Sequence, residues 1–384
     1  MSKEQQWFLI YWLYSMFFLM FFLFILLIFL FFTKKKIKIN IFYVLVISVL
    51  VRALILLVFP KSQSEDLLSF LTSGEILISR KPIYPTLYFP FMPYLGLIVL
   101  KLKTIINPLI FLKIFFSLFD VTIVYLIYLI SNSSQLALIY GLNPVTLLNT
   151  TIHGQFDTIP LFFLVLGVYL FIKKKEIFSI LSLSMGIYTK TWPFLFSPLI
   201  LRKLKNKWIF ILAALFPLVS VLFYWKLNGV NPIQILIPIK NYRGLYGFWG
   251  ITEITNFFWP KFDGSWIQLM RRIFLISFLI YSLTFQFKEM IKGISKQMLF
   301  FFIFTITFGV QWLTWLIPFL ILSKVKYQKI FFSLATFYLA LAYYHNVYNI
   351  SLTGPTFYYL DSLRKVLGLA VWLIMILMFR QKNF

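Results

Sequence analysis

The sequence predicts an all-α protein, a polytopic bundle of transmembrane helices, and three observations carry that prediction. Hydrophobic residues make up 61% of the 384 and charged residues 12%, with a mean hydropathy of +0.89. A water-soluble domain of that composition would expose large apolar patches. Apolar runs close to the roughly 20 residues that cross a hydrocarbon core recur along the chain. Lysine-rich clusters punctuate them at 34–38, 101/103, 173–175, 202–207, 288–296, 324–329 and 380/382, which reads as a series of cytoplasmic span ends under the positive-inside rule. Counting short and broken pieces, about 11 to 15 membrane helices are expected.

The first element is the apolar run Trp7 to Phe32, too long for a signal-peptide core and followed by no small-residue cleavage site. It reads as a retained span over 1–40, with the N-terminus outside and Lys34 to Lys38 inside. A second span carrying Arg52 follows. The stretch 60–88 then faces outward, with an amphipathic helix from Ser64 to Ser79 whose leucines rest on the interface while Glu65, Asp66 and Glu75 face water. Lys81-Pro82-Ile83-Tyr84-Pro85 has to leave the helix.

Three later runs pose a conflict. Segments 106–131, 177–201 and 298–323 are each one span long, yet each lies between two basic clusters. Each also holds a polar interruption, at Asp120, at Lys190-Thr191-Trp192-Pro193 and at Gln311-Trp312. Short or broken helices meeting at the outer face resolve the conflict, since irregular backbone survives at membrane depth where it lines a protein cavity. A single tilted span is the alternative for each run. Outer loop 227–262, rich in Tyr, Trp and Gly, precedes the C-terminal helices. The chain has no evident repeat or linker and reads as one domain, 1–384, with 41–226 as its first module and 227–384 as its C-terminal helices.

Charged residues on the outer side require an explanation, because an ionisable group between apolar helices needs a partner or a wet cavity. Of 11 carboxylates, Glu4 lies at the N-terminus and Glu176 and Glu289 in cytoplasmic loops. Glu75 and Asp361 read as exposed, and Glu253 and Asp263 lie in the long loop. Glu65, Asp66, Asp120 and Asp157 remain as functional candidates; a buried ion pair or a helix cap is the structural alternative for Asp66 and Asp120, and a capped helix-end turn for Asp157. Lys190, Lys240, Arg243, Arg271 and Arg272 run against the positive-inside bias, as groups that hold an anionic phosphate would. Snorkelling to headgroups is the alternative for Arg271 and Arg272. Arg52 reads as the structural partner of a carboxylate. His153-Gly154-Gln155-Phe156-Asp157 is the most polar cluster at a membrane boundary, with donors and acceptors suited to hydroxyls or a phosphate.

The basic residues sit in short clusters rather than a stripe, so the net charge of +25 does not indicate nucleic acid. Cysteine is absent, which removes disulfides, thiolate nucleophiles and cysteine-ligated metals, and two histidines with scattered carboxylates argue against a dedicated zinc site.

Two stretches are similar to the GT-C superfamily of multi-pass glycosyltransferases. One is Ser64-Glu65-Asp66-Leu67, Gly74, Lys81-Pro82-Ile83-Tyr84 and Tyr88-Phe89-Pro90; it resembles the first outer loop of these enzymes. The other runs from Asn143-Pro144 through His153–Asp157 to Lys190-Thr191-Trp192-Pro193 and resembles the mannosyl- and glucosyltransferase branches. Together they cover roughly the first half of the chain, 41–226 being the GT-C-like module. The resemblance implies inverting transfer of a sugar, a hexose, from a polyprenyl- or dolichyl-phosphate donor to a lipid-linked glycan or other hydroxyl acceptor, on the extracytoplasmic face of the cell membrane. Asp66 would be the general base, and Lys190, Arg243, His153, Arg271 and Arg272 would hold the donor phosphate. Gln155, Tyr84, Trp192, Tyr242 and Trp249 would contact sugar or acceptor, with Glu65, Asp120 and Asp157 as further acidic contacts. Adjacent Glu65-Asp66 departs from the spaced acidic pair of many relatives and leaves use of Mg²⁺ or Mn²⁺ open. A lipid-linked oligosaccharide flippase or transporter is the competing reading.

Overall fold

The computed structural model describes residues 3–34, 38–60, 62–241, 244–247, 249–258, 264–285, 287–348 and 355–381. It is helical almost throughout. In chain order the first helices are α1 (Lys3–Lys34), α2 (Ile41–Val58), α3 (Glu65–Ile78), α4 (Phe91–Lys101), α5 (Pro108–Ser131), α6 (Ser134–Gly141) and α7 (Pro144–Leu147), the last running into a π-helical turn, Leu148–His153. Next come α8 (Thr158–Ile172) and α9 (Glu176–Thr189), a 3₁₀ turn at Trp192–Phe196 continuing as α10 (Ser197–Lys203), and another at Lys207–Ala214 continuing as α11 (Leu215–Asn228). After α12 (Pro232–Asn241) and the short strand β1 (Leu245–Tyr246) lie α13 (Gly250–Phe258), α14 (Gly264–Thr284) and α15 (Met290–Phe304). Strand β2 (Thr307–Phe308) and a 3₁₀ turn at Val310–Leu316 lead into α16 (Ile317–Ser323), α17 (Gln328–Tyr348) and α18 (Pro355–Phe379).

Among the described residues, six helices are long and apolar enough to cross a bilayer. Their outer faces present residues such as Leu54 and Leu57, which are exposed. Such a surface belongs in lipid, and this is a helical membrane protein. Four further apolar stretches, Phe91–Lys101, Thr158–Ile172, Glu176–Thr189 and Val310–Ser323, are shorter, as expected for a bundle containing broken spans.

Local chemistry sets the boundaries. Asn40, Ser64 and Asn107 cap α2, α3 and α5 by accepting hydrogen bonds from Phe42, Leu67 and Leu109 backbone N–H groups. Pro108 sits in the first turn of α5, where its missing N–H costs nothing. The bundle has two distinct ends. At the lysine-rich end, Lys329 Nζ donates to Thr33 O at 2.9 Å, Lys203 Nζ to Lys288 O at 3.1 Å and Lys296 Nζ to Gln381 O at 3.0 Å. These basic residues tie neighbouring loops by capping exposed carbonyls.

At the opposite end, two of the three conflicted runs are hairpins of short helices. The backbone turns at extended Lys190 between α9 and α10, and at β2 between α15 and α16. The run 106–131 is different: α5 passes unbroken through Asp120. Asp120 is fully buried and paired with Arg52 of α2 at 2.5 Å, and it accepts a hydrogen bond from Tyr140 at 2.6 Å. With its charge matched at mid-span, the carboxylate needs no break in the helix, so it is a structural group and not a second acidic contact. Arg52 is its partner, as read from the sequence. An unbroken α5 has its two ends on opposite sides of the bundle. Its first turns lie beside Ser62, to which Lys113 donates, so Lys101 and Lys103 belong to the end of α3 and not to the lysine-rich end.

Helices α3 and α4 cross closely in that region. A Cβ built on Gly74 would lie 2.4 Å from the Gly96 carbonyl carbon. Only glycine permits this approach, which presses the amphipathic helix onto the bundle.

Candidate functional site

Ser64 starts α3 and places Glu65 and Asp66 in its first turn, where the helix dipole favours carboxylates. Three contacts fix that turn against the His153–Asp157 segment. Ser62 Oγ donates to Ile152 O at 2.9 Å, and the Phe70 and Phe156 rings meet edge to face at 5.2 Å. Gly154, at φ +74°, leaves room for Leu67, whose Cδ1 would lie 2.4 Å from an added Cβ. Glycine satisfies both the left-handed backbone and the close approach. Asp66 is half-buried. The two stretches singled out in the sequence therefore meet.

Asp157 precedes α8 without capping it. Its Oδ2 pairs with Lys190 Nζ at 2.7 Å, and its Oδ1 accepts from Trp315 Nε1 at 2.8 Å. Both ion-pair partners are buried. The ammonium also lies over the rings of Phe156 and Tyr88, at 4.6 and 5.2 Å, a desolvated cation held on several sides. Trp192 stacks on Trp315 at 4.1 Å and 9°. The α9–α10 hairpin supplies Lys190 and Trp192, and the α15–α16 hairpin supplies Trp312 and Trp315. The break in each short helix is what brings these groups together.

Beside the pair is a cavity of about 270 Å³, lined by Lys190, Trp192, Arg271, Thr305, Trp312 and Trp315, with Phe274 and Leu275 of α14 as its apolar wall. Among the described residues, Trp192 Nε1, Trp312 Nε1 and Gln155 Oε1 are buried without a hydrogen-bond partner. Unmatched buried donors and acceptors are destabilising, and here two of them belong to residues of the cavity wall.

Several sequence expectations change. Arg271 lines the cavity, whereas Arg272 is exposed on α14 and is removed from the phosphate group. His153 stacks face to face on Tyr343 at 3.9 Å and does not line the Lys190 cavity. Tyr84 belongs to a separate aromatic cluster, edge-on to Tyr224 at 5.3 Å, with its hydroxyl donating to Tyr88 O. Trp249 is buried against Phe308 at 4.2 Å and donates to Phe302 O at 2.7 Å, so it stiffens the core and presents no face to a sugar. Glu65 is exposed. Tyr242 and Arg243 lie outside the described residues.

Among the described residues, no three His, Cys, Asp or Glu side chains gather. Near Asp66 the other carboxylates are Asp157, already engaged at both oxygens, and exposed Glu65, a poor oxygen set for Mg²⁺ or Mn²⁺. Sequence reading missed Tyr343, Asn149, which accepts from Tyr343 Oη at 2.8 Å, and Trp315. Only Trp315 had a signal, its spacing of three residues from Trp312.

Compared with known proteins, the chain matches no family model, no curated protein and no solved structure.

Proposed function

We propose that this chain is a GT-C-type membrane glycosyltransferase, which moves a hexose from a polyprenyl- or dolichyl-phosphate donor to a hydroxyl of a lipid-linked glycan. The work is done at the bundle end opposite the lysine-rich loops, the extracytoplasmic side of the cell membrane under the positive-inside rule. The observation that carries this reading is the Asp157–Lys190 pair. The first turn of α3, which carries Asp66, packs against the segment bearing the pair's acidic member, and the pair's basic member lines a cavity that Arg271 also lines.

In the proposed reaction, Asp66 accepts the proton of the acceptor hydroxyl as its oxygen bonds to the anomeric carbon. Attack comes from the face opposite the phosphate, so configuration inverts. The bond from that carbon to the phosphate oxygen breaks, and its electron pair leaves with the polyprenyl phosphate. Arg271 offers the phosphate a bidentate fork, and Lys190 adds a second cationic group. The indole N–H groups of Trp192 and Trp312 are further donors for phosphate or sugar oxygens, and Phe274 and Leu275 suit the first isoprene units.

A flippase would need a polar path towards the lysine-rich end. The mid-span ion pair Arg52–Asp120 is satisfied within the bundle by Tyr140, which donates to Asp120, and by the Gly141 carbonyl, to which Arg52 Nη1 donates at 2.9 Å. The test is incubation of the purified protein with a panel of polyprenyl-phosphate sugars and lipid-linked acceptors, read by mass spectrometry. A hexose increment on an acceptor supports the reading; movement of intact donor across liposomes without transfer refutes it.

A further inference from the structure

A second carboxylate sits in a different setting. Glu253 of α13 is only 7% exposed, and neither of its oxygens has a hydrogen-bond partner among the described residues. The cations nearest it, Arg364 and Lys365 of α18, are already paired with Asp361, at 2.7 and 2.8 Å. A carboxylate buried in this way is destabilising unless something else satisfies it.

Glu253 lines a cavity of about 650 Å³ between α13 and α18, with Asn256, Ser362 and Lys365 as the other polar groups and Val366 and Leu369 as apolar wall. On helix α13 Thr252 and Glu253 are buried, whereas Ile254 and Phe258 are 37% and 64% exposed and add to the apolar lining of the same cavity. The cavity is distinct from the Lys190 site. Gly244 borders that site and Gly247 borders this one, so β1, paired through Leu245 with Phe308 and Tyr246 with Thr307, runs between the two.

The mixture of groups selects the ligand. An anion would meet Glu253, and a cation would meet Lys365. Neutral hydroxyls suit both, because they donate to a carboxylate and accept from Lys, Ser and Asn side chains. The apolar wall suits an acyl chain. From this geometry we infer that the α13–α18 cavity binds the hydroxyl-rich headgroup of a membrane glycolipid, whose hydroxyls donate to Glu253. The inference requires binding alone and does not depend on the transfer reaction.

The test uses the full-length protein in a polyoxyethylene detergent free of sugar headgroups. A monoglucosyl diacylglycerol, phosphatidylcholine and phosphatidylglycerol are titrated in parallel, and bound lipid is counted by native mass spectrometry. The wild type should retain the glucosyl lipid selectively. Glu253→Gln should bind it at least about tenfold more weakly, the loss expected for charge-assisted hydrogen bonds, with thermal stability unchanged or raised because a buried, unpartnered charge has been removed. Val366→Trp, a change at an exposed helix position, should block binding by filling the cavity without altering its charge. Equal retention of all three lipids would overturn the inference. So would Glu253→Gln that melts earlier with binding intact, or full binding in Val366→Trp.

Discussion

Asp157→Asn isolates the charge at the centre of the site. The amide has the shape of the carboxylate, and its oxygen can still accept from Trp315 Nε1, so little changes except the counter-charge of Lys190. That lysine is 2% exposed and lies 2.7 Å from Asp157. Removing one partner of a buried pair leaves the other uncompensated, which costs about 3–5 kcal/mol. Lys190→Met should cost a similar amount for the converse reason. The double variant Asp157→Asn/Lys190→Met, with no buried charge left, should return to within about 1 kcal/mol of wild type, because replacing both members is often neutral. Equilibrium unfolding in mixed micelles, followed by near-ultraviolet circular dichroism, supplies the four corners of the cycle. A coupling energy of roughly 3 kcal/mol or more is expected. Single variants within 1 kcal/mol of wild type, or a double variant as unstable as either single one, would show that Lys190 does not depend on Asp157.

Gly154→Ala puts a Cβ both at positive φ and 2.4 Å from Leu67; a loss of about 1–3 kcal/mol is expected, partly recovered when Leu67 is also shortened to Ala. Arg271→Gln should weaken binding of polyprenyl phosphate at least about tenfold, measured by isothermal titration in detergent, and Arg272→Gln should leave it unchanged. Burial raises the Glu253 carboxyl to about 7, with Asp361 adding to the rise and Arg364 and Lys365 opposing it. The folded state therefore keeps a proton that the unfolded chain releases near the ordinary Glu value. As pH rises from about 4.5 to about 7, wild type should lose stability relative to Glu253→Gln, and the difference should level off above that range. A constant difference across the range would contradict the assignment.

The parts of the fold that were legible in the sequence were those dictated by local chemistry. Ser64 followed by two acids announces a helix start, and α3 begins there. Lys190-Thr191-Trp192-Pro193 cannot continue a helix, and the chain turns back at Lys190. Asp120 looked like a similar interruption, but its partners Arg52 and Tyr140 are 68 and 20 residues away in sequence. A charge matched through tertiary contact leaves the helix intact, and no local pattern reports the match. The placement of Lys101 and Lys103 failed with it, because the side of the bundle on which a basic cluster lies depends on whether the next run crosses once or twice. Aromatic residues misled for a related reason. Trp192, Trp249 and Tyr84 all read as sugar platforms, yet only Trp192 borders the cavity; stacking on Phe308 decided Trp249, and edge-on packing against Tyr224 decided Tyr84. Tyr343 was invisible because its role arises from the π-helical turn that delivers His153 to its ring.

Single-turnover transfer by wild type and Asp66→Asn, run beside titration with free polyprenyl phosphate, tests the catalytic core of this account most directly. The asparagine variant should bind the lipid phosphate with wild-type affinity, keep its thermal stability and produce no glycosylated acceptor. Product formed at an undiminished rate would remove Asp66 from the reaction and, with it, the proposed use of the cleft.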